Sequence, residues 1–225
     1  MPLLLNIDTA TEIASICLSV DGVPLVIKKN EQQKEHASFV HTAIASVLDG
    51  TGYQLKNIDA FVVTSGPGSY TGLRVGMATA KGFCYALSKP LIAINTLEVM
   101  TKAALGSGEK FEEDILFCPM IDARRMEVFT AVYNSNLETV LSPRPLVLQE
   151  DSFCGYLEKN KMIFFGSGSN KFRQFEPGGN ALFSNIKYDA SHLGMLGAVA
   201  FVEKKFSDLS YSEPTYFKEF HSIAK

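Results

Sequence analysis

Between positions 65 and 76 the chain runs Ser65-Gly66-Pro67-Gly68-Ser69-Tyr70-Thr71-Gly72-Leu73-Arg74-Val75-Gly76. The stretch follows an apolar run and opens a helical one. Gly66 and Gly68 reach backbone angles closed to other residues, and Ser69 or Thr71 can cap the helix that follows. Unpaired N–H groups at a helix start attract anions, so one reading is a cradle for a phosphate or carboxylate. The other is a tight strand-to-helix turn with no ligand. No Gly-Lys-Ser or Gly-Lys-Thr closes the motif, which excludes a P-loop. The dinucleotide pattern fails too: Gly72 comes one residue late, and the next strand ends on Asn95 rather than an acid.

Two aspartates sit in matching places. Asp8 ends the apolar run Leu3 to Ile7, and Asp122 ends Ile115 to Ile121. An acid at the end of a first strand can handle metal or water near a nucleotide phosphate, and Asp122 would be its mate across a cleft. Equally, both can be turn-capping aspartates. Asp8, Gly66, Gly68 and Asp122 together form the candidate nucleotide or phosphate site. The histidines, His36, His41, His192 and His221, assemble no metal site; His36 and His41 miss the i, i+4 spacing of a helical ligand pair. No Gly-x-Ser-x-Gly elbow occurs, so nucleophilic hydrolysis has no support.

The elements that must carry these residues read as one pattern written twice. After Leu3 to Ile7, residues 14 to 20 alternate with period two, and Asp21-Gly22 signals a hairpin returning through Leu25 to Ile27. Ala37, Val40, Ile44, Val47 and Leu48 then recur at helical spacing. Ala60 to Val63 is a strand, Leu73 to Leu87 a helix, Leu91 to Ile94 a strand, and Asn95 with Glu98 a capping-box variant for one more helix. The second half repeats the order: strands over 115–121, 128–133 and 137–141, helix over 151–157, strand over 162–165, helix over 170–175, a weak strand over 186–188 and a long amphipathic helix over 191–206. Each half is βββαβαβα. This predicts an α/β fold of two tandem ribonuclease-H-like lobes, the actin/hexokinase/sugar-kinase architecture. The polar stretch Gly106-Ser107-Gly108-Glu109 divides residues 1–106 from 107–225.

The helix over 73–87 carries few polar side chains: Arg74, Thr79, Lys81 and the Tyr85 hydroxyl. Such a helix is buried on more than one side. Its row Ala78, Gly82 and Ala86 lets another helix approach closely. That neighbour is either a partner protein or the helix over 37–48 of the same chain. A partner interface would use Val40, Ile44, Val75, Ala78, Thr79, Gly82, Phe83 and Ala86.

Composition narrows the rest. The chain has 225 residues, 46% hydrophobic and 20% charged, with net charge −3. That supports a real core but offers no basic stripe, so the chain does not grip nucleic acid by itself. Cys17, Cys84, Cys118 and Cys154 are scattered in apolar segments, as in a reducing compartment. Neither a signal peptide nor a membrane-spanning run is legible, and the expectation is a cytoplasmic protein without membrane contact.

Several of these stretches together resemble the TsaB family: Ile7-Asp8-Thr9-Ala10-Thr11, His36-Ala37-Ser38, the glycine motif from Gly66 to Gly76, Ala80-Lys81-Gly82, Thr96-Leu97-Glu98 and Ile121-Asp122-Ala123-Arg124. The likeness is strong over residues 1 to about 135. Beyond that it rests on Gly166-Ser167-Gly168 and Pro214-Thr215-Tyr216-Phe217-Lys218. The resemblance implies the two-lobed actin-like fold. It also implies a non-catalytic dimerization subunit for threonylcarbamoyladenosine modification of tRNA beside the anticodon. Such chains form homodimers alone. They pair through first-lobe helices with the catalytic subunit TsaD, and the ATPase TsaE joins them, so tRNA is met only through the complex. The catalytic subunit holds metal through an HxxxH-type motif, and the comparable stretch here, Thr96 to Leu105, has no histidine. No cofactor is implied for the chain itself, with ATP or ADP at the complex junction left open. A nucleotide-binding transferase or kinase and a metal-dependent peptidase are the alternatives.

Overall fold

The computed structural model describes residues 1–31, 36–108 and 114–217; Glu109, Lys218 and His221 lie outside them. It divides into two units, Met1–Lys110 with Ile186–Pro214, and Phe111–Asn185 with Thr215–Lys225.

The first unit is a five-stranded sheet in the order β3-β2-β1-β4-β5, from β1 (Leu3–Asp8), β2 (Ala14–Val20), β3 (Val23–Asn30), β4 (Ala60–Gly66) and β5 (Leu91–Asn95). β1, β2 and β3 form an antiparallel meander, while β4 and β5 join parallel to β1. Asp21 and Gly22 take φ of 53° and 80° in the β2–β3 hairpin, the double left-handed turn that Asp-Gly favours. Alternation sorts the side chains of β1. Leu3, Leu5 and Ile7 face α1 (His36–Asp49) and α2 (Tyr70–Leu87), in a core with Ile16, Leu18, Phe61, Val63 and Met77. Leu4 faces the other way, with Val62, Ile92 and Ile94, against α3 (Thr96–Leu105) and α6 (Ala190–Val202).

The second unit repeats the topology as β8-β7-β6-β9-β10, from β6 (Leu116–Asp122), β7 (Glu127–Tyr133), β8 (Thr139–Val147), β9 (Met162–Phe165) and β10 (Ala181–Phe183), with short helices α4 (Cys154–Leu157) and α5 (Ser169–Arg173). Phe153, Phe164 and Phe172 meet edge-on or tilted, 4.8–5.4 Å between centroids, at the centre of its core. The chain is therefore α/β with two ribonuclease-H-like sheets.

Three expectations need correction. The weak strand over 186–188 is not a strand; the edge position beside β9 is taken by β10, and Tyr188 leads into α6 instead. The lobe 107–225 is not continuous. Residues 186–214 return to the first unit, because α6 carries the notch that fits its sheet. A Cβ on Gly194 would stand 2.8 Å from Asn6 Nδ2, and one on Gly197 2.8 Å from Val62 Cγ2. Leu193 is fully buried with Leu4 and Val62. The third correction concerns Val40 and Ile44, which are 0% and 3% exposed. They fasten α1 to its own sheet, each such burial contributing about 1.5–3 kcal/mol, and are not surface residues.

Candidate functional site

The site grows from the end of β1. Asp8 is buried, and its Oδ1 accepts hydrogen bonds from the Ala10 amide at 3.1 Å and the Thr64 hydroxyl at 2.9 Å. Burial pushes the carboxyl up to about 6; the Ala10 and Thr64 bonds pull against that, and the Asp189 carboxylate adds to it. Desolvation disfavours the charged form, and two donors on one oxygen do not replace a full water shell.

The loop after Asp8 explains the glycine motif. The Ser69 amide donates to the Ala10 carbonyl at 2.6 Å, and the Thr9 hydroxyl donates to the Gly72 carbonyl at 2.7 Å. A Cβ on Gly68 would fall on the Ala10 carbonyl, one on Gly72 on the Thr9 carbonyl, and one on Gly76 on the Thr9 hydroxyl. Three glycines thus let one loop lie against the start of α2. Gly66, φ 107°, ends β4 beside Asn95. Ser69 caps α2, its Oγ accepting from the Gly72 amide at 3.3 Å. Two of the N–H groups at this helix start are taken up within the chain, that of Ser69 by the Ala10 carbonyl and that of Gly72 by the Ser69 hydroxyl.

Asp122, placed alike at the end of β6, has a different environment. Its side chain is 44% exposed, and Oδ1 accepts from Lys171 Nζ at 2.7 Å and from the Arg124 amide at 2.6 Å. Lys171 also donates to the Glu127 carbonyl at 3.0 Å. Partial burial would raise the Asp122 carboxyl, but the Lys171 and Arg124 hydrogen bonds outweigh it and hold the group below the usual range. One aspartate is thus sealed in and the other is neutralised by a lysine.

A cluster that the sequence pattern did not reveal joins Asp8's surroundings to α6. The Thr11 and Tyr188 hydroxyls are 2.9 Å apart, and the Ala190 amide donates to Ser15 Oγ at 2.9 Å. Asp189 caps α6 through the Ser191 amide at 2.9 Å and pairs with Lys29 at 2.6 Å. Its partial burial is outweighed by bonds from His192, Lys29 and Ser191, which hold the carboxyl well below the usual range. Asp189 before an apolar run was the legible signal.

The outer side of α2 is the second candidate. Ala78, Gly82 and Ala86 are exposed, and Tyr85 is 83% exposed. Val75, Thr79 and Phe83 are half-buried on the side toward α1, where Phe83 stacks on Phe61 and its ring lies 6.5 Å from that of His41. On the opposite flank Lys81 donates to the Ser212 carbonyl at 2.9 Å. A Cβ on Gly82 would meet nothing within 4 Å. Unlike Gly68, Gly72 and Gly76, this glycine has no neighbour among the described residues that requires it.

The family model for the tRNA N6-adenosine threonylcarbamoyltransferase TsaD matches residues 27–212. The chain belongs to this family. Among curated relatives, it is 28% identical over 99% of its length, and 96% of the relative's, to the tRNA threonylcarbamoyladenosine biosynthesis protein TsaB of Bacillus subtilis. It is 34% identical to the Haemophilus influenzae protein of the same name, over 56% of this chain and 51% of that one. Within the family the chain is TsaB-like. A Pseudomonas aeruginosa crystal structure, described as an uncharacterized protein with similarity to peptidase YeaZ, superposes with TM-score 0.82 over 97% of this chain and all of that one, at 24% identity. At that identity the likeness concerns fold alone.

Proposed function

We propose that this TsaB-like chain serves tRNA threonylcarbamoyladenosine formation as a non-catalytic subunit that docks a TsaD-type catalytic partner on the outer face of α2. Gly82 carries the reading. A glycine inside a helix costs about 1 kcal/mol relative to alanine, and here nothing among the described residues requires it. An approaching partner helix does. Ala78 and Ala86, one turn away on either side, extend the same low surface, and Tyr85 supplies an aromatic anchor beside it. The state of the two aspartates agrees with a supporting role. Asp8 is enclosed by Ala10 and Thr64, and Asp122 is engaged by Lys171. A TsaE-type ATPase joins the assembled pair in this reading, tRNA is met through the complex, and the chain works in the cytoplasm. Among the described residues no helix is long and apolar enough to cross a membrane.

Ala78→Glu tests the docking face. Ala78 is exposed in the single chain, so the variant folds with unchanged melting temperature. It loses the partner, because a charge buried unpaired at an interface costs about 3–5 kcal/mol. Calorimetric titration with a TsaD-type subunit reads the outcome; undiminished binding would place the interface elsewhere.

A further inference from the structure

The turn between β6 and β7 holds two arginines in a conformation that arginine rarely takes. Arg124 and Arg125 have φ of 68° and 49°. A Cβ in that region crowds the neighbouring carbonyl, which is why glycine, asparagine and aspartate ordinarily fill such positions. The β2–β3 hairpin follows that rule with Asp21 and Gly22. The β6–β7 turn departs from it twice in succession. Its backbone is nonetheless fixed. The Ala123 amide donates to the Glu127 carbonyl at 3.0 Å, the Glu127 amide to the Arg124 carbonyl at 3.1 Å, and the Arg124 amide to Asp122 Oδ1 at 2.6 Å. Lys171 clamps both stems of the turn, through Asp122 Oδ1 and the Glu127 carbonyl, and the Asp122 amide donates to Ser167 Oγ at 3.1 Å. Both arginine side chains are exposed. Among the described residues neither guanidinium has an ion-pair partner or an aromatic ring beneath it.

We infer that this turn is a contact for the phosphodiester backbone of the RNA on which the complex acts. The inference rests on the proposed role in tRNA modification and goes beyond it, because that reading brings tRNA to the chain only through its partners. Charge and chemistry select the occupant. Arg124, Arg125 and Lys171 stand against Asp122 and Glu127, so the turn with its lysine is net positive in a chain whose net charge is −3. Lys171 is spent on Asp122, which leaves the two guanidinium groups to face outward. Each offers paired N–H donors that match phosphate oxygens. No residue from Asp122 to Glu127 is aromatic, so the turn has no platform for stacking a base, and the contact is to backbone rather than to sequence. A backbone fixed in advance leaves only two side chains to order on binding. That is a use for a disfavoured pair of left-handed residues which the fold itself does not supply. Two phosphate contacts do not hold RNA alone, in keeping with the lack of a basic stripe; they add to what the catalytic partner holds.

The test uses the full chain in complex with the TsaD-type subunit, and an unmodified tRNA transcript that this complex modifies. Fluorescence anisotropy over a salt series reads the affinity. Arg124→Asn with Arg125→Asn removes both charges and puts at each position a residue that accepts the left-handed conformation. The double variant therefore folds with an unchanged or higher melting temperature and still binds the TsaD-type subunit. The expected result is tRNA binding weakened on the order of ten- to hundredfold at about 0.1 M salt, with the slope of log affinity against log salt smaller by about 1–2. Unchanged affinity and slope overturn the inference. So does an equal loss in Lys28→Asn with Lys56→Asn, which removes the same charge from exposed positions of the first unit, because the effect is then one of net charge alone. Loss of TsaD-type binding in the arginine variant also overturns it and assigns the turn to a protein contact. Failure of the docking reading shows differently, as a wild-type chain that gives no calorimetric binding to the TsaD-type subunit, and that outcome removes both.

Discussion

At the residue scale, identical residue types in matching positions were given different work by their surroundings. Asp8 lies under its own loop, so its proton is held more tightly in the folded state than in the unfolded chain. Folding therefore favours the protonated carboxyl. The stability this contributes is full below the unfolded value near 3.8 and is lost as pH rises toward about 6. Asp8→Asn keeps an acceptor for Ala10 and Thr64 without the charge. It should be more stable than the parent at pH 7, by at most on the order of 3 kcal/mol, the free energy that separates a carboxyl titrating near 3.8 from one titrating at about 6. Near pH 4 the two should be indistinguishable. Urea unfolding at several pH values measures the difference, and a pH-independent difference would contradict the burial account. Gly82 gives a second prediction. Gly82→Ala stabilises the isolated chain by about 1 kcal/mol yet weakens binding to the TsaD-type subunit, because the added methyl group holds the partner helix away. Thermal unfolding and titration read the two effects separately.

At the scale of elements, the local signals were legible and the long-range ones were not. Period-two alternation, the Asp21-Gly22 turn and the capping residues Ser69 and Asn95 place the strands and helices of the first unit within a few residues of where they lie. Ser69→Ala should cost about 1 kcal/mol through loss of the cap on α2, seen as a lower melting temperature without change in fold. What the glycine motif is for was not legible. Its partners, Thr9 and Ala10, lie some sixty residues upstream, and a motif read locally cannot show what approaches it. For Val40 and Ile44 the helical spacing marks an apolar face but does not say whether sheet or partner covers it. The absence of Asp, Glu, Lys and Arg between Ala190 and Val202 marks α6 as a helix whose apolar residues extend beyond one face.

At the scale of the whole molecule, the duplication extends from strand order to a detail of the turns. Gly66, φ 107°, closes β4, and Gly166, φ 90°, comes directly after the equivalent strand β9. Two residues later, Gly68 admits Ala10, just after β1, while a Cβ on Gly168 would crowd Met120 and Ile121 near the end of β6. The same device closes both sheets. The copies then diverge: the first unit borrows α6 from beyond the second, which no periodic pattern reveals. Ending the chain at Asn185 should therefore uncover the part of the first sheet that α6 packs on, exposing Leu4 and Val62 while α3 stays in place. The expected product is insoluble or lacks cooperative unfolding, and a soluble, sharply melting fragment would contradict the placement of α6.

The central claim, that the chain contributes by holding a catalytic partner rather than by its own chemistry, is tested most directly by reconstituting threonylcarbamoyl transfer to tRNA from purified subunits. The reaction would be run with the wild-type chain, with Ala78→Glu, with Asp8→Asn and with no chain. The account predicts modification with the wild type and with Asp8→Asn, and loss of it with Ala78→Glu and in the chain's absence. Full modification without the chain, or activity that survives Ala78→Glu and fails with Asp8→Asn, would contradict it and return the first unit to the nucleotide-binding enzymes.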